Sequence, residues 1–195
     1  MGRMKDRMLA GELYVADDPD LEADYVRAQE LLERYNGAPA ADDAGRDALL
    51  RELLGGVGER VVVRPPFRCE YGAPITIGDG TFANFDLLVL DVAEVRIGRA
   101  CQIAPRVQLL TATHPIDPGP RRAGWESGAP ITIGDNVWLG AGAIVCPGVT
   151  IGDDTVVGAG SVVTRDLPAG VVAVGSPARV VREIGDGDRV AVPER

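Results

Sequence analysis

His114 is the only histidine of the 195-residue chain, and its imidazole is the clearest candidate for proton transfer. An imidazole titrates near neutral pH and can take the proton of a hydroxyl group as that oxygen attacks a carbonyl carbon. A single histidine also rules out metal sites built on two or three imidazoles of one chain, and we predict no metal site. A lone histidine in a loop could equally be a surface residue without a function, so the sequence around it must distinguish the two interpretations.

His114 lies in an insertion. Residues 113–130 read THPIDPGPRRAGWESGAP, with three internal prolines and several glycines. They interrupt a repeat that resumes at Ile131. A long insertion in a repeat structure emerges from one face and is more often functional than accidental. The only imidazole is therefore predicted to stand on an exposed, function-bearing loop.

A period of six residues organises the second half of the chain. Branched aliphatics recur at this step, at Ile97, Ile103, Leu109, Ile133, Leu139, Val145, Ile151, Val157 and Val163. Glycine follows four of them, at Gly134, Gly140, Gly152 and Gly158. The pattern predicts a mostly β fold, a hexapeptide β-helix in which three hexapeptides, roughly 18 residues, close one triangular coil. The aliphatics should stack inside the prism about 4.8 Å apart, and Gly, Asn and Asp should relieve strain at the turns.

The N-terminal quarter follows a helical pattern instead. Leu21, Tyr25, Ala28, Leu32 and Tyr35 are spaced by four and three residues, which predicts one apolar stripe on a helix. Asp20 is the expected cap, and the Asn36-Gly37 pair is the expected left-handed stop. A second short helix is predicted near 43–54. Helices this small cannot form a core alone, so they should cap the β-helix.

Composition excludes several classes of protein. Twenty basic against 29 acidic residues give a formal net charge of −9, which disfavours nucleic-acid and membrane-surface partners. No apolar run approaches the ~20 residues of a membrane span, and the opening MGRMKDRMLAGELYV does not resemble a secretory signal. The three cysteines, Cys69, Cys101 and Cys146, are far apart and odd in number, which suits reduced thiols. We predict a cytoplasmic protein.

Four segments resemble one family. They read ITIGDNVWLGAGAIVCPGVTIGDDTVVGAGSVVTRD, VGSPARVVREI, TATHPIDP and MLAGELYVADDPDL. From about Met4 to Ile184 the chain is similar to the maltose/galactoside O-acetyltransferases, hexapeptide-repeat acyltransferases that use acetyl-CoA. The resemblance implies a left-handed β-helix, an exception to the right-handed crossover rule, and a homotrimer with active sites between its subunits. It also implies direct transfer, in which the cysteines take no part.

The resemblance gives the chain a domain organisation. It implies a helical segment over 1–58, a left-handed parallel β-helix over 59–184 with the inserted loop 113–130, and a tail over 185–195.

The resemblance also assigns catalytic and acceptor residues. His114 matches the family's general base, and Glu126 matches an acid that could orient the imidazole through its other nitrogen. Asn84 and Asp91 match positions that line the acceptor pocket, although both could be corner residues of the repeat. The family's N-terminal acid is shifted here, and we assign it to Asp17 while Asp18 remains an alternative. Tyr25 also stands where many relatives have arginine, so the identity of the acceptor stays open.

The cofactor positions follow in the same way. The family's CoA-binding positions correspond to Trp138, Gly140, Ala141, Gly158, Ala159, Thr164, Arg165, Arg179 and Arg182. The small residues would leave room for the pantetheine arm, and the N–H near Ala141 would face the developing oxyanion. The arginines would contact phosphate, although they could also be ion-paired surface residues.

The resemblance implies transfer of an acetyl group from acetyl-CoA to a hydroxyl of a small molecule, a saccharide or a related compound, with His114 as base. Two alternatives stay open: a non-sugar acceptor such as an antibiotic or an amino acid, and a catalytically silent binding homologue. A γ-type carbonic anhydrase shares the fold but needs three imidazoles from adjacent subunits. One histidine per chain cannot supply them.

Overall fold

The computed structural model describes residues 3–193, so the outermost residues of the predicted helical segment and tail, 1–2 and 194–195, lie outside it. Three helices come first, and a short one lies in the inserted loop: α1 (Arg3–Leu9), α2 (Pro19–Gly37), α3 (Asp43–Leu53) and α4 (Pro118–Arg122). A 3-10 turn, Asp186–Asp188, follows the last strand. All other regular structure consists of short strands.

The strands are two to five residues long, because each one spans a single side of a narrow prism. In chain order they are β1 (Gly56–Val57), β2 (Val62–Val63), β3 (Phe67–Cys69), β4 (Ile75–Ile77), β5 (Phe82–Ala83), β6 (Leu87–Leu90), β7 (Val95–Ile97), β8 (Gln102–Ile103), β9 (Gln108–Leu110), β10 (Ala112–Thr113), β11 (Ser127–Gly128), β12 (Ile131–Ile133), β13 (Trp138–Leu139), β14 (Ile144–Val145), β15 (Thr150–Ile151), β16 (Val156–Val157), β17 (Val162–Val163), β18 (Val171–Val174) and β19 (Arg179–Glu183).

The strands form three parallel sheets, one on each side of a triangular prism. Face 1 has the order β19-β18-β16-β13-β8-β5-β2, face 2 has β17-β14-β9-β6-β3, and face 3 has β1-β4-β7-β12-β15. The chain runs from face 1 to face 2 to face 3 and begins again, so each strand pairs with its equivalent in the next coil. Only β18–β19 and the loop pair β10–β11 are antiparallel among these ladders. The predicted parallel β-helix is confirmed.

The repeat works because its aliphatic positions stack in the interior. All nine predicted positions are buried, none more than 3% exposed. In-register pairing places Leu139 between Ile103 and Val157 on face 1, and Val145 between Leu109 and Val163 on face 2. Branched side chains fill this core closely, and neighbouring coils exclude water from one another.

The glycines after the aliphatics have a different role from the predicted one. Gly140 does not take a left-handed conformation. A Cβ on it would lie 2.5 Å from the backbone nitrogen of Ala159 in the next coil, so close stacking of coils requires the missing side chain. The left-handed turn position comes two residues later, at Gly142, with φ +67°.

The helices cap the open N-terminal end of the prism. The Tyr35 ring meets Phe67 edge to face, with ring centroids 6.4 Å apart, and its hydroxyl donates to the carbonyl of Val63. Asn36 satisfies both backbone groups of Phe67, donating to its carbonyl and accepting from its N–H, each at 2.9 Å. These bonds satisfy backbone groups of β2 and β3 that no further coil covers.

Three details of α2 correct the sequence prediction. The N-cap is Asp18 rather than Asp20, because its carboxylate accepts the N–H of Asp20 at 2.9 Å and also those of Met4 and Lys5. Tyr25 is 48% exposed, so it does not belong to the buried stripe. Gly37 remains within the helix and has no left-handed φ. Helix α3 begins and ends close to the predicted positions.

The three turns between faces repeat along the prism and give it three edges. Edge 1, between faces 1 and 2, comprises residues 64–66, 84–86, 104–107, 140–143 and 158–161. Edge 2, between faces 2 and 3, comprises 70–74, 91–94, residues 111–130 with the inserted loop, 146–149 and 164–166. Within residues 3–193, no helix is both long and apolar enough to cross a lipid bilayer.

Two adjacent valines on β2 test the inward packing. Val63 is 4% exposed and Val62 is 49% exposed. Val63→Ala should lower the free energy of unfolding by about 1–3 kcal/mol because it leaves a cavity. The matched control Val62→Ala should lower it by less than about 0.5 kcal/mol. Urea unfolding of both variants measures the difference, and equal losses would contradict the assignment of Val63 to the core.

Candidate active site

His114 directly follows β10, where the inserted loop leaves edge 2. Its Nδ1 lies 3.4 Å from the carbonyl oxygen of Trp125, across the base of the loop. A carbonyl can only accept, so this contact favours the tautomer with hydrogen on Nδ1 and a lone pair on Nε2. The exposed imidazole therefore presents a proton-accepting nitrogen away from the loop.

Glu126 does not hold the imidazole as predicted. Its backbone pairs with Tyr14 in both directions, N–H to carbonyl at 2.9 Å each way, and its carboxylate lies close enough to the Tyr14 phenol to affect the pKa of that group. The Nδ1 of His114 faces the carbonyl of Trp125 instead. Burial, and then the nearby charge of Glu126, raise the pKa of Tyr14 well above its ordinary value. Glu126 thus ties the loop to the segment between α1 and α2, residues 10–18, which we call the N-terminal arm.

Asp91 also differs from its predicted place in an acceptor pocket. It is fully buried on edge 2, and its carboxylate accepts the N–H groups of Glu70 at 2.7 Å, Tyr71 at 3.2 Å and Gly72 at 2.6 Å. Burial raises its pKa, although these hydrogen bonds act in the opposite direction. Its oxygens are occupied by the turn of the preceding coil, so the role that the structure gives it is structural.

Sequence reasoning missed Glu70, the residue that Asp91 positions. Its carboxyl oxygen Oε2 is shielded from solvent and has no hydrogen-bond partner within residues 3–193. Burial, followed by the charges of Asp91 and Glu126, raises the pKa of Glu70 to about 7. The side chain has no place in the six-residue pattern. Its glutamate type in the CEYG turn is the only signal, and that signal is weak.

The N-terminal acid Asp17 is exposed, and its neighbour Asp18 is fully engaged as the α2 cap. Asp18 is therefore not available to an acceptor, which removes the alternative left open by the sequence.

Asn84 stands on edge 1, away from the histidine. Its side-chain oxygen accepts the N–H of Phe85 at 2.9 Å, so its amide NH₂ is the group left for a ligand. Coil-to-coil hydrogen bonds place Asn84, Ala104, Gly140 and Gly158 in one column along this edge.

The small residues of this column divide into two kinds. Gly140 and Gly158 face the adjacent coil, where a Cβ would lie within 2.8 Å of neighbouring atoms. Ala141 and Ala159 are exposed on the outside, and their N–H groups donate to no acceptor within residues 3–193. The exposed alanines, rather than the glycines, form the narrow strip with open N–H groups on edge 1.

The remaining predicted cofactor residues are spread over other surfaces. Trp138 is 55% exposed on face 1. Thr164 and Arg165 are exposed on edge 2, and Arg179 is exposed on β19. Arg182 forms a two-pronged ion pair with Asp188, with both nitrogen–oxygen distances at 2.7 Å. The guanidinium of Arg182 is therefore already paired with a carboxylate, whereas the sequence analysis assigned it to a phosphate of the cofactor.

Apart from Asp17 and the residues on face 1, the candidate residues therefore occupy two edges of one prism. His114, Glu126 and Glu70 lie at edge 2, whereas Asn84 and Ala141 lie at edge 1. The strands of face 2 separate the two groups. One chain does not bring them together.

Comparison with known proteins agrees with this architecture. Residues 7–58 match the maltose acetyltransferase hexapeptide capping motif, and residues 130–165 match the bacterial transferase hexapeptide of six repeats. Nodulation protein L from Rhizobium meliloti (strain 1021) is 53% identical over 90% of this chain and 96% of that protein.

Two solved structures are similarly close. The maltose O-acetyltransferase from Clostridium difficile 630 has a TM-score of 0.92 and 44% identity, covering 94% of this chain and 98% of that one. A galactoside acetyltransferase in complex with coenzyme A has a TM-score of 0.92 and 42% identity, covering 95% and 92% of the two chains.

The β-helix of hexapeptide repeats and these matches define a hexapeptide-repeat acyltransferase of left-handed β-helical fold, as the sequence predicted. Within that class, the chain belongs to the maltose and galactoside O-acetyltransferase family and is an acetyltransferase.

Asp91→Asn separates a structural role from an acceptor-binding role. The Asn NH₂ would face the N–H of Gly72 or that of Glu70, so one buried donor loses its acceptor. The free energy of unfolding should fall by about 1–3 kcal/mol. Thermal unfolding and acceptor KM should be measured together. A variant with normal stability and a raised acceptor KM would show that Asp91 contacts the acceptor after all.

Proposed function

We propose that the protein is an acetyl-CoA-dependent O-acetyltransferase that acts on a hydroxyl group of a saccharide, with His114 as general base. The observation that carries the proposal is the imidazole on the inserted loop, whose Nδ1 faces the Trp125 carbonyl and leaves Nε2 to accept a proton. Family membership supplies the class of reaction. Relatives of this family have been solved with coenzyme A and acetyl coenzyme A bound.

The reaction needs one proton acceptor and one oxyanion site. Nε2 of His114 takes the proton of the acceptor hydroxyl as its oxygen attacks the thioester carbonyl carbon. The open N–H of Ala141 stabilises the negative oxygen of the tetrahedral intermediate. Collapse breaks the carbon–sulfur bond, and the imidazolium returns its proton to the departing thiolate. No group on the enzyme is acylated, so no cysteine is required.

The exposed strip on edge 1 suits the donor. Ala141 and Ala159 present little side chain, so the pantetheine arm can lie along the edge with its amides near open N–H groups. Arg165 and Arg179 are exposed cations that remain candidates for phosphate. Arg182 would have to leave Asp188 to contribute.

Assembly from several copies would complete the site. Face 2 separates the two edges in one chain, but in a closed ring of identical chains edge 2 of one meets edge 1 of the next. We propose a homotrimer in which each cleft takes His114 from one subunit and Ala141 and Asn84 from its neighbour. Light scattering should then report close to three times 20.5 kDa.

His114→Ala tests the base. Turnover should fall by about 10²–10⁴-fold, the range of positioned acid–base catalysis, with little change in the acetyl-CoA KM. His114→Asn keeps the side chain's size but cannot accept a proton near neutral pH, so it should be equally impaired. Release of free CoA thiol measures both variants, and near-normal turnover by the Asn variant would remove the base role.

Mixing two inactive variants tests the shared cleft. His114→Ala keeps edge 1 intact, and Ala141→Trp obstructs edge 1 but keeps the loop. A cleft is intact when the subunit that supplies the loop keeps His114 and its neighbour keeps Ala141. In trimers co-assembled from equal amounts of the two variants, each condition holds for half of the subunits, so about a quarter of the clefts should be intact. CoA release should recover to that fraction of wild type. No recovery in verified mixed trimers would mean that each site lies within one chain.

A further inference from the structure

We propose that the C-terminal tail, residues 185–193, competes with the acyl donor: the carboxylate of Asp188 occupies the guanidinium of Arg182, and a phosphate group of CoA displaces it. The inference rests on the proposed function and concerns only the donor side of the site. It starts from Asp188, to which neither the sequence pattern nor the comparisons give a role.

The carboxylate of Asp188 is held by three N–H groups. Nη1 and Nη2 of Arg182 each donate to one of its oxygens at 2.7 Å, and the N–H of Gly185 donates to Oδ2 at 3.0 Å. The hydrogen bonds from Arg182 are the largest cause that holds the pKa of Asp188 below its usual range, so the carboxyl is ionised at neutral pH. Two parallel guanidinium donors are also what an arginine offers to a phosphate. The tail therefore supplies an internal anion to a group that suits an external one.

The same ion pair tethers the tail to the prism. The N–H of Ile184 donates to the carbonyl of Gly170 at 2.8 Å, and residues 185–193 follow this bond, all of them exposed. In the part of the chain that the structure describes, no hydrogen bond or ion pair except that between Arg182 and Asp188 joins the tail to the β-helix. Once the pair opens, the tail is free to leave.

The remaining contacts of the tail would move with it. Arg189 pairs with Asp186 at 2.9 Å, and both residues belong to the tail. Val190 is 81% exposed and Val192 is 83% exposed, so apolar packing does not hold the tail down. An exposed ion pair contributes little net stability because water solvates the separated charges well. A ligand of higher charge can therefore replace the carboxylate.

Arg182 lies on the donor side of the molecule. In-register pairing leads from Trp138 through Val156 and Val172 to Arg182, so the indole and the guanidinium share one outward column of face 1. Trp138 comes three residues before Ala141, whose open N–H belongs to the strip on edge 1. Face 1 borders that edge. A donor that lies along the strip therefore has this column within reach of its phosphates.

CoA carries anions that can make the exchange. A phosphomonoester has about −1.5 to −2 charges at pH 7, more than the single charge of a carboxylate, and the diphosphate is also an anion. Asp188 and a phosphate cannot use the same two donors of Arg182, and two anions side by side would repel each other. The closed tail and the bound donor are thus competing states, and each weakens the other by the same factor.

Asp188→Asn keeps the shape of the side chain and removes its charge. The dissociation constant of CoA, measured by titration calorimetry, should fall about 2- to 5-fold, the range for one exposed ion pair. The matched control is Asp186→Asn, which removes a carboxylate of the same tail that pairs with Arg189 instead. Its dissociation constant should stay within about 1.5-fold of wild type. Unchanged binding by Asp188→Asn would overturn the competition. Weaker binding would mean that Asp188 holds Arg182 in place for the donor.

Fragments of CoA show whether a phosphate displaces the tail. Pantetheine has no phosphate, so Asp188→Asn should not improve its binding, which ligand-observed NMR can follow. Dephospho-CoA lacks only the phosphomonoester: loss of the improvement assigns the exchange to that group, and its retention assigns the exchange to the diphosphate. An improvement of equal size for pantetheine would contradict the proposal, because no phosphate would then be involved.

A double variant tests whether the effect passes through the guanidinium. Arg182→Ala should weaken CoA binding, and Asp188→Asn should have no further effect in that background because no cation is left to release. If Asp188→Asn still strengthens binding without Arg182, the carboxylate acts through its long-range charge and the ion pair is not the competing contact.

Movement of the tail gives a second readout. Saturating CoA should speed tryptic cleavage after Arg189, because release of Asp188 frees the tail, whereas pantetheine should leave the rate as it is in the free protein. An equal rate with and without CoA would mean that Asp188 stays on Arg182 when the donor is bound.

The two levels of the proposal fail differently. Acetyl transfer and CoA binding by the wild type, with a dissociation constant that Asp188→Asn does not change, would overturn the role of the tail and leave the acetyltransferase intact. Absence of CoA binding by the wild type would overturn the donor site of the proposed function and the inference with it.

Discussion

The register between successive coils is the constraint on which the rest of the structure depends. Each short strand finds its hydrogen-bond partners in the coils before and after it, so a shift of one residue would expose an entire aliphatic column. Val145 between Leu109 and Val163 illustrates the result: three fully buried side chains, spaced by the width of one strand. No single strand of two residues is stable alone. The stack is stable because every coil saturates its neighbours.

The same register decides where function can lie. Interior positions must be aliphatic, and the glycines beside them are fixed by the approach of the next coil, as Gly140 shows. The edges, the excursions from them and the outward-facing strand positions such as Val62 can vary in sequence without breaking the stack. The histidine lies on such an excursion, and the open N–H groups of Ala141 and Ala159 lie on another edge. A rigid prism keeps these two edges apart, which makes association of several chains the natural way to complete a site.

The parts that could be predicted from the sequence are those that the repeat determines locally. The β-helix, the buried columns and the insertion follow from residues six apart, and α3 follows from its own spacing. Asp91 could not be placed, because its partners are the N–H groups of residues 19 to 21 positions earlier, in another coil. Glu70 was missed for the same reason: its raised pKa depends on the charges of Asp91 and Glu126, which are distant in sequence. Tyr25 was predicted to be buried because it has the helical spacing of the buried stripe. It is exposed because α2 covers only one end of the prism, so not every position of the stripe has a surface to pack against.

The N-terminal arm and the inserted loop pack against each other and form one structural unit. Tyr14 pairs with Glu126 as a backbone bridge beside the β10–β11 pair, so the arm extends the small antiparallel ladder at whose end His114 stands. The buried phenol of Tyr14 lies near the Glu126 carboxylate, whose charge contributes to the raised pKa of Glu70. Arm, loop and CEYG turn thus share one corner of the prism, remote from the alanine strip on the opposite edge of face 2. Under the proposed function this corner serves the acceptor and the alanine strip serves the donor, so substitutions at the corner would change the acceptor while the strip, fixed by coil stacking, stays the same. Such a separation would let the fold keep one acyl donor and change its acceptors through a few residues of the corner, because the stacked coils hold the alanine strip in place independently of the arm and the loop.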